Sequence, residues 1–145
     1  MDINEYVIFR LANESYGVAI EHVENIEKHT SITRVPYTKE YISGIINLRG
    51  NIIPVIDVRK RLGIKTTEAF KDSRIMIVNI DELKVGLLVD FSSEVLQLSD
   101  ENIEPAPKSL GVESNYIVNV GKDNGRIIML VDLKKLLEIE MIEEL

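Results

Sequence analysis

Short apolar segments alternate with polar, turn-forming residues along most of the chain. The breaks include Asn13-Glu-Ser15 and Asp123-Asn-Gly125. Short apolar segments separated by such turn-forming residues predict the strands of an all-β barrel or sandwich. The predicted strands are residues 6–11, 16–20, 42–48, 52–58, 75–80, 85–89, 95–98, 116–120 and 127–131.

Three segments have the spacing of helices instead. Residues 20–26 predict one or two turns, residues 58–62 predict a short helix, and the stretch from Leu133 to residue 145 has the clearest amphipathic pattern. Residues 100–114 contain Pro105, Pro107 and Gly111, so they are predicted to form a loop or a broken helical turn.

The chain contains an internal repeat with an offset of 75 residues. Residues 50–64 align with residues 125–139, with identity at 7 of 15 positions and apolar or basic character kept at most of the others. A weaker match, at an offset of 69, aligns residues 16–21 with residues 85–90. Because the paired segments keep their order, the sequence predicts two similar β modules.

The two modules are predicted to span about residues 12–70 and 75–140 of a single domain covering residues 1–145, and to pack against each other. In each copy a predicted strand begins directly after a turn that contains glycine, and it ends at an aspartate that precedes a short helix. Asp57 and Asp132 are therefore predicted to be N-caps, whose carboxylates accept the first free backbone amides.

Composition agrees with a strand-rich fold. The 145 residues include 21 Ile and 14 Val but only 4 Ala, and β-branched residues favour strands whereas alanine favours helices.

There is no cysteine, which excludes disulfides and thiolate sites and fits a reducing cytosol. The N-terminus lacks the pattern of a signal peptide, and no apolar run reaches the ~20 residues of a membrane span. We therefore expect a cytoplasmic protein without membrane insertion.

Charge argues against a nucleic-acid partner. The chain has 17 basic and 24 acidic residues, a net charge of -7, which repels a phosphate backbone. The densest basic cluster, residues 59–61, has no interleaved aromatic residue and is interpreted as the solvated face of a short helix.

The sequence contains none of the common catalytic or cofactor-binding motifs. His22 and His29 are the only histidines and do not form a zinc motif. There is no phosphate-binding loop, dinucleotide fingerprint or nucleophile elbow. We therefore expect neither a metal nor a cofactor, and a protein that is not an enzyme. Its function would then depend on its surfaces.

One surface candidate is the polar turn of residues 47–51, Asn-Leu-Arg-Gly-Asn, between two apolar segments. Arginine is a forked donor that is frequent at interface hot spots, and glycine lets a partner backbone approach. Arg49 aligns with Asn124 in the repeat, whereas the framework residues recur. The alternative is an exposed hairpin arginine that contributes little. The lack of recurrence favours a role for Arg49 in partner binding.

A set of motifs follows in order along nearly the whole chain. They are Phe9 to Tyr16-Gly-Val-Ala-Ile, Val23-Glu-Asn-Ile26, Tyr41-Ile-Ser-Gly-Ile-Ile-Asn-Leu-Arg-Gly50, Pro54-Val-Ile-Asp-Val58, Val85-Gly-Leu-Leu-Val-Asp90 and the unit from Ile127 to Leu137. With these motifs the chain resembles the CheW family of chemotaxis coupling proteins, most specifically in residues 44–57. The resemblance implies two five-stranded SH3-like barrels and a C-terminal helix. It also implies a non-enzymatic adaptor, recruited to chemoreceptor arrays, that links receptor cytoplasmic tips to the regulatory domain of the histidine kinase CheA.

The resemblance also implies roles for five positions. Asn47, Arg49 and Gly44 match positions for receptor coupling, and Val23 and Ile26 match the kinase-facing side of the first barrel. The chain departs from the family pattern at two positions, because Asn25 stands where glutamate is frequent and Phe91 where glycine is frequent.

Three alternatives remain. The same module occurs in kinases of the CheA type and in fusions with receiver domains, although a chain that starts at Met1 and ends after the helix disfavours both. A small β-barrel enzyme would need convergent polar groups in a pocket. A nucleic-acid-binding barrel would show salt-sensitive binding to DNA or RNA.

Overall fold

The computed structural model describes residues 3–28, 31–65, 72–107 and 116–137, and most of them lie in β-strands. The apolar, β-branched segments form the strands, as the pattern predicts. The described elements are β1 (Ile3–Leu11), β2 (Glu14–Ala19), β3 (Val23–Lys28), β4 (Ile42–Leu48), β5 (Asn51–Asp57), α1 (Val58–Arg61), β6 (Arg74–Ile80), β7 (Leu83–Val89), β8 (Phe91–Ser99), β9 (Ile103–Pro105), β10 (Ile117–Asp123), β11 (Arg126–Val131) and α2 (Leu133–Leu137).

The strands form two sheets. The first sheet has six strands in the order β8-β1-β2-β11-β10-β9, and the second has five in the order β3-β6-β7-β5-β4. Neighbours are antiparallel except for the parallel pairs β2–β11 and β5–β7. The predicted mainly β fold is confirmed. The closure of each sheet into a five-stranded barrel stays a prediction.

The two sheets repeat one topology. The order β8-β1-β2-β11-β10 corresponds strand by strand to β3-β6-β7-β5-β4, with the parallel pair at the same place in each. The repeated sequence units occupy equivalent positions, since residues 50–64 include β5 and α1 whereas residues 125–139 include β11 and α2. Each sheet takes strands from both predicted modules, 12–70 and 75–140, so the sheets interleave the two copies. The module bounds stay a prediction.

The helical prediction for residues 20–26 is wrong beyond its first turn. Ile20–His22 form a 3-10 turn, and β3 then pairs with β6. Pairing with a buried neighbouring strand outweighs the weak helical spacing of this segment. The predicted short helix at residues 58–62 is confirmed as α1, and the one from Leu133 is confirmed as far as Leu137, beyond which it lies outside the described residues.

One apolar core lies between the sheets. It joins Val7 and Phe9 of β1 to Met76 of β6 and Leu87 of β7, and it includes Leu136 of α2. These side chains are 3% exposed or less. Because both sheets bury side chains in the same cluster, they are expected to unfold together.

Both predicted N-caps are confirmed and have the same geometry. The Asp57 carboxylate accepts a hydrogen bond from the Lys60 amide at 3.3 Å, and Asp132 accepts one from the Lys135 amide at 3.2 Å. The backbone amides of Asp57 and Asp132 each donate to a tyrosine carbonyl, at 2.7 and 2.9 Å respectively. The repeat therefore extends to the junction of strand and helix.

Replacing Asp57 with asparagine is expected to change how stability depends on pH. Burial raises the pKa of the Asp57 carboxyl above its ordinary value, so the folded state favours the protonated form. Its stability contribution is therefore full at low pH and is lost as pH rises through the folded-state pKa. Asparagine caps helices well and does not titrate. Urea unfolding should show Asp57→Asn gaining stability relative to the parent chain between about pH 3 and about pH 7.

The control is Asp132→Asn, which changes the same cap where its hydrogen bond is exposed to solvent. An equal pH response in the two variants would show that burial of Asp57 is not the cause.

Candidate partner-binding surface

The turn between β4 and β5 presents Arg49 at the end of the second sheet. Leu48 pairs with Asn51, so the hairpin loop consists of Arg49 and Gly50 alone. Both residues have positive φ, +52° and +86° respectively. Positive φ angles at both loop residues are those of a type I′ turn, and this turn suits the right-handed twist of paired strands. We call residues Asn47 to Ile52 the hairpin tip.

The equivalent turn of the first sheet has the sequence that this geometry favours. Asn124 and Gly125 have φ values of +49° and +83°, and Asn-Gly is the preferred pair in type I′ turns. Arginine gains no local hydrogen bond in the left-handed region, so Arg49 is strained where Asn124 is accommodated. Residues that stand against local preference concentrate at functional sites.

Replacing Arg49 with asparagine is expected to raise the free energy of unfolding by about 0.5 kcal/mol, because the strain at this position is relieved. Chemical denaturation of the variant and the parent chain measures the difference. The reciprocal change, Asn124→Arg, is the matched control and should cost a similar amount. A loss of stability in Arg49→Asn would mean that the arginine supports the fold.

The Arg49 side chain is 72% exposed and reaches across to β3. Its Nη2 lies 3.2 Å from Oε1 of Glu27, which also accepts a hydrogen bond from Asn25 Nδ2 at 2.8 Å. Asn47 Oδ1 accepts from the Gly50 amide at 3.0 Å and so stabilises the turn. The structure therefore brings Asn47 and Arg49 together and adds Glu27, which the sequence analysis did not identify. Recognition of β3 would have placed Asn25 and Glu27 on one face of a strand.

Gly44 has a different role from a surface contact. It is buried, with φ +142°, and an added Cβ would lie 2.1 Å from the Thr33 carbonyl oxygen. Thr33 exchanges two backbone hydrogen bonds with Ile45 of β4, at 2.9 and 2.8 Å. The packing of residue 33 against β4 therefore depends on glycine at position 44. Gly44 does not join Asn47 and Arg49 at the surface, so a substitution there acts through the backbone.

Val23 and Ile26 lie on β3, an end strand of the second sheet. Both side chains are half-buried and pack against the shared core. In the described residues, the outer edge of β3 has no strand partner. Glu24 is exposed on the same strand and pairs with Lys84 at 3.2 Å. Among the described strands, β3 therefore has one unpaired backbone edge, and Val23 and Ile26 support the strand from the core side.

Exposed apolar side chains add to the hairpin tip. Ile52, which pairs with Asn47, is 62% exposed, and its repeat equivalent Ile127 is 60% exposed. An exposed guanidinium beside an exposed aliphatic side chain suits a partner that has both a carboxylate and an apolar group.

The basic run of residues 59–61 is not a solvated face, contrary to the sequence interpretation. Arg59 is only 6% exposed and pairs with Asp90. Arg61 lies between the rings of Tyr41 and Tyr116, 4.7 and 4.6 Å from their centroids. A buried ion pair therefore holds Arg59 inside the fold, and cation–π contacts hold the half-buried Arg61 against two rings, so that Lys60 is the exposed cation of the three.

The turn between β10 and β11 has its own charge pair. Arg126 donates to both carboxylate oxygens of Glu94, at 3.1 and 2.8 Å, and to Asp123 at 3.0 Å. The hydrogen bond from Arg126 lowers the pKa of the Glu94 carboxyl. This arginine is thus satisfied by two carboxylates of its own sheet, whereas Arg49 is largely exposed and pairs with a single carboxylate, Glu27, among the described residues. Of the two turns, the β4–β5 turn is therefore the better candidate for a binding surface.

Within the described residues, no three His, Cys, Asp or Glu side chains group to hold a metal ion, and no helix there has the length and apolar character for a membrane crossing. The surface features found at the hairpin tip and along β3 are those of protein recognition.

Comparison with known proteins gives one consistent result. The family model described as the CheW-like domain matches residues 5–141. The Chemotaxis protein CheW of Klebsiella aerogenes is 36% identical over 137 residues, covering 94% of this chain and 82% of that protein. The Chemotaxis protein CheW of Bacillus subtilis is 33% identical over 135 residues, covering 92% and 86%. The crystal structure of the scaffolding protein TtCheW from Thermoanaerobacter tengcongensis has a TM-score of 0.87 at 42% identity and covers 94% of each chain.

Proposed function

The chain belongs to the CheW family, and we propose that it is a non-catalytic chemotaxis adaptor. It couples the cytoplasmic tips of chemoreceptors to the histidine kinase CheA through the kinase's regulatory domain. The observation that carries this proposal is Arg49, a largely exposed arginine held in a strained turn beside a free strand edge. Both features suit contact with another protein.

The hairpin tip is the proposed receptor contact. Arg49 binds a carboxylate of the receptor tip, and Ile52 covers an apolar side chain next to it. Asn47 holds the turn through the Gly50 amide, so it positions Arg49 as well as presenting its own amide group. Gly44 contributes by allowing residue 33 to pack against β4.

The edge of β3 is the proposed kinase contact. A free edge can pair with an edge strand of another β domain, whose backbone groups then complete the ladder. Val23 and Ile26 hold β3 against the core and fix the position of that edge. Glu24 and Lys28 are exposed on this strand. Their charges favour partners with complementary charges and disfavour others.

The two proposed contacts adjoin each other. Glu27 of β3 is 3.2 Å from Arg49 of the hairpin tip, so occupation of either contact changes the surroundings of the other. The adaptor works in the cytoplasm at receptor arrays, where many modest contacts add up to a stable assembly. Receptor movement then biases the kinase through the shared adaptor.

Titration calorimetry of the purified chain against the regulatory domain of CheA tests the proposal. We expect saturable binding with one site per chain. Glu24→Lys should weaken it, because the change reverses a charge on β3. Glu104→Lys is the matched control, since Glu104 is also exposed and pairs with a lysine, Lys122, at 3.3 Å in the first sheet. No heat of binding with the parent chain would overturn the adaptor proposal.

A further inference from the structure

We propose that a surface pocket at the start of β4 binds a carboxylate-bearing segment of a protein partner. The pocket has a volume of about 410 Å³, within the range of ~300 to 1,000 Å³ that is usual for ligand sites. It is separate from the hairpin tip, because none of its lining residues lies in the range Asn47 to Ile52 and its residue Ile42 is at the opposite end of β4. It lies on the segment before β4 together with α1, and Arg34, Tyr37, Ile42 and Lys60 are among its lining residues.

The side chains that line the pocket carry a net positive charge, although the chain as a whole is negatively charged. Three cations line it, Arg34, Lys39 and Lys60, against one carboxylate, Glu40, whereas the whole chain has a net charge of -7. In the described part of the chain, neither Arg34 nor Lys60 forms an ion pair. Both are exposed. Two exposed cations at one pocket attract an anionic group.

Tyr37 supplies the second part of the recognition. Its side chain is fully exposed and its φ is +63°, a conformation that costs a bulky residue energy. The loop around it is ordered by hydrogen bonds from Thr38 Oγ1 to the Val35 carbonyl, at 3.1 Å, and from the Ile42 amide to the Lys39 carbonyl, at 3.0 Å. Tyrosine is enriched at binding hot spots, and a partner that covered this ring would bury a large apolar area.

The lining selects a protein segment over a bare anion. Val35 is half-buried and Ile42 is 8% exposed, so the pocket has an apolar base that phosphate would not use. The net charge of the chain opposes long polyanions such as nucleic acids. A segment with alternating acidic and aliphatic residues satisfies the cations, the tyrosine ring and the apolar base together.

The test is a nuclear magnetic resonance titration of the full ¹⁵N-labelled chain with an acetylated and amidated peptide of four alternating Glu-Leu pairs. We expect amide shifts in residues 34–42, apart from Pro36, which has no amide proton, and at Lys60. Binding should weaken as salt is raised, because salt screens exposed charges. A peptide with glutamine in place of glutamate is expected to bind about tenfold more weakly. Equal binding of the two peptides, or the same shifts with inorganic phosphate at equal concentration, would overturn the proposal.

Variants locate the site. Arg34→Glu and Lys60→Gln are each expected to weaken binding of the acidic peptide, the former by about tenfold, and Tyr37→Ala by several-fold. Lys122→Gln, an exposed lysine of the first sheet, is the matched control and should bind as the parent chain does. Unchanged binding in folded Arg34→Glu and Lys60→Gln would remove the pocket from consideration. The measurement uses neither a receptor nor CheA, so its failure is distinguishable from failure of the adaptor proposal.

Discussion

Replacing Asp90 with asparagine is expected to lower the free energy of unfolding by about 3 to 5 kcal/mol. Arg59 Nε and Nη2 donate to the two Asp90 carboxylate oxygens, at 2.6 and 2.5 Å. Their side chains are only 7% and 19% exposed. Loss of the Asp90 charge removes the carboxylate that accepts both of these hydrogen bonds from a guanidinium with little access to water, and breaking a buried ion pair on one side is costly.

The position of this pair adds to the expected effect. Asp90 lies between β7 of the second sheet and β8 of the first, and it accepts a hydrogen bond from the Ala12 amide in the β1–β2 turn at 2.8 Å. Arg59 lies in α1, which follows β5. One carboxylate thus ties both sheets and α1 together, so its loss weakens the junction on which the shared core depends.

Urea unfolding of the parent chain and Asp90→Asn measures the loss. Glu94→Gln is the matched control, because Arg126 also contacts Glu94 with two hydrogen bonds, but these side chains are 37% and 43% exposed. Exposed ion pairs contribute about 0 to 1 kcal/mol to the free energy of unfolding, so Glu94→Gln should cost no more than that. Equal losses in the two variants would contradict the argument that burial sets the cost.

Most of the fold could be predicted because its strands are mainly apolar segments separated by polar turns, and because one pattern of strands occurs in two copies. β3 was missed because only two of its six residues, Val23 and Ile26, are apolar, and they are three apart, as on a helix. A β-bulge between Val23 and Asn25 turns both side chains toward the core, and local spacing does not reveal a bulge. β9 was missed because it has only three residues and ends in a proline.

The candidate site was only partly predictable, because some of its contacts join residues that are distant in the sequence. Arg49 could be identified because the repeat supplies Asn124 as its equivalent, so the departure is visible in the sequence itself. Glu27 could not, because its partner is 22 residues away and the pairing depends on the positions of β3 and β4 at opposite ends of one sheet. Arg59 was misinterpreted because charge runs are usually solvated, and its partner Asp90 is 31 residues away.

Replacing Arg49 with glutamate is expected to weaken receptor capture by about 1 to 3 kcal/mol, roughly 5- to 150-fold in the dissociation constant. The change reverses the charge that the proposed contact offers to a receptor carboxylate, and like charges across an interface repel. The fold should remain intact, because the side chain is 72% exposed and its pair with Glu27 is a surface ion pair. Pull-down with a receptor cytoplasmic fragment at several concentrations measures the loss.

Asn124→Glu provides the control, since it places the same residue at the equivalent turn, where φ is +49° compared with +52° at Arg49. Glutamate is disfavoured at both turn positions, but only Asn124→Glu replaces a residue that the turn favours. Urea unfolding should therefore show a loss of about 0.5 kcal/mol in Asn124→Glu and little backbone effect in Arg49→Glu. Only Arg49→Glu should reduce capture, because only the hairpin tip combines an exposed arginine with the adjoining β3 edge. Undiminished capture by Arg49→Glu would remove Arg49 from the receptor contact, and an equal loss in Asn124→Glu would assign the effect to net charge rather than to the site.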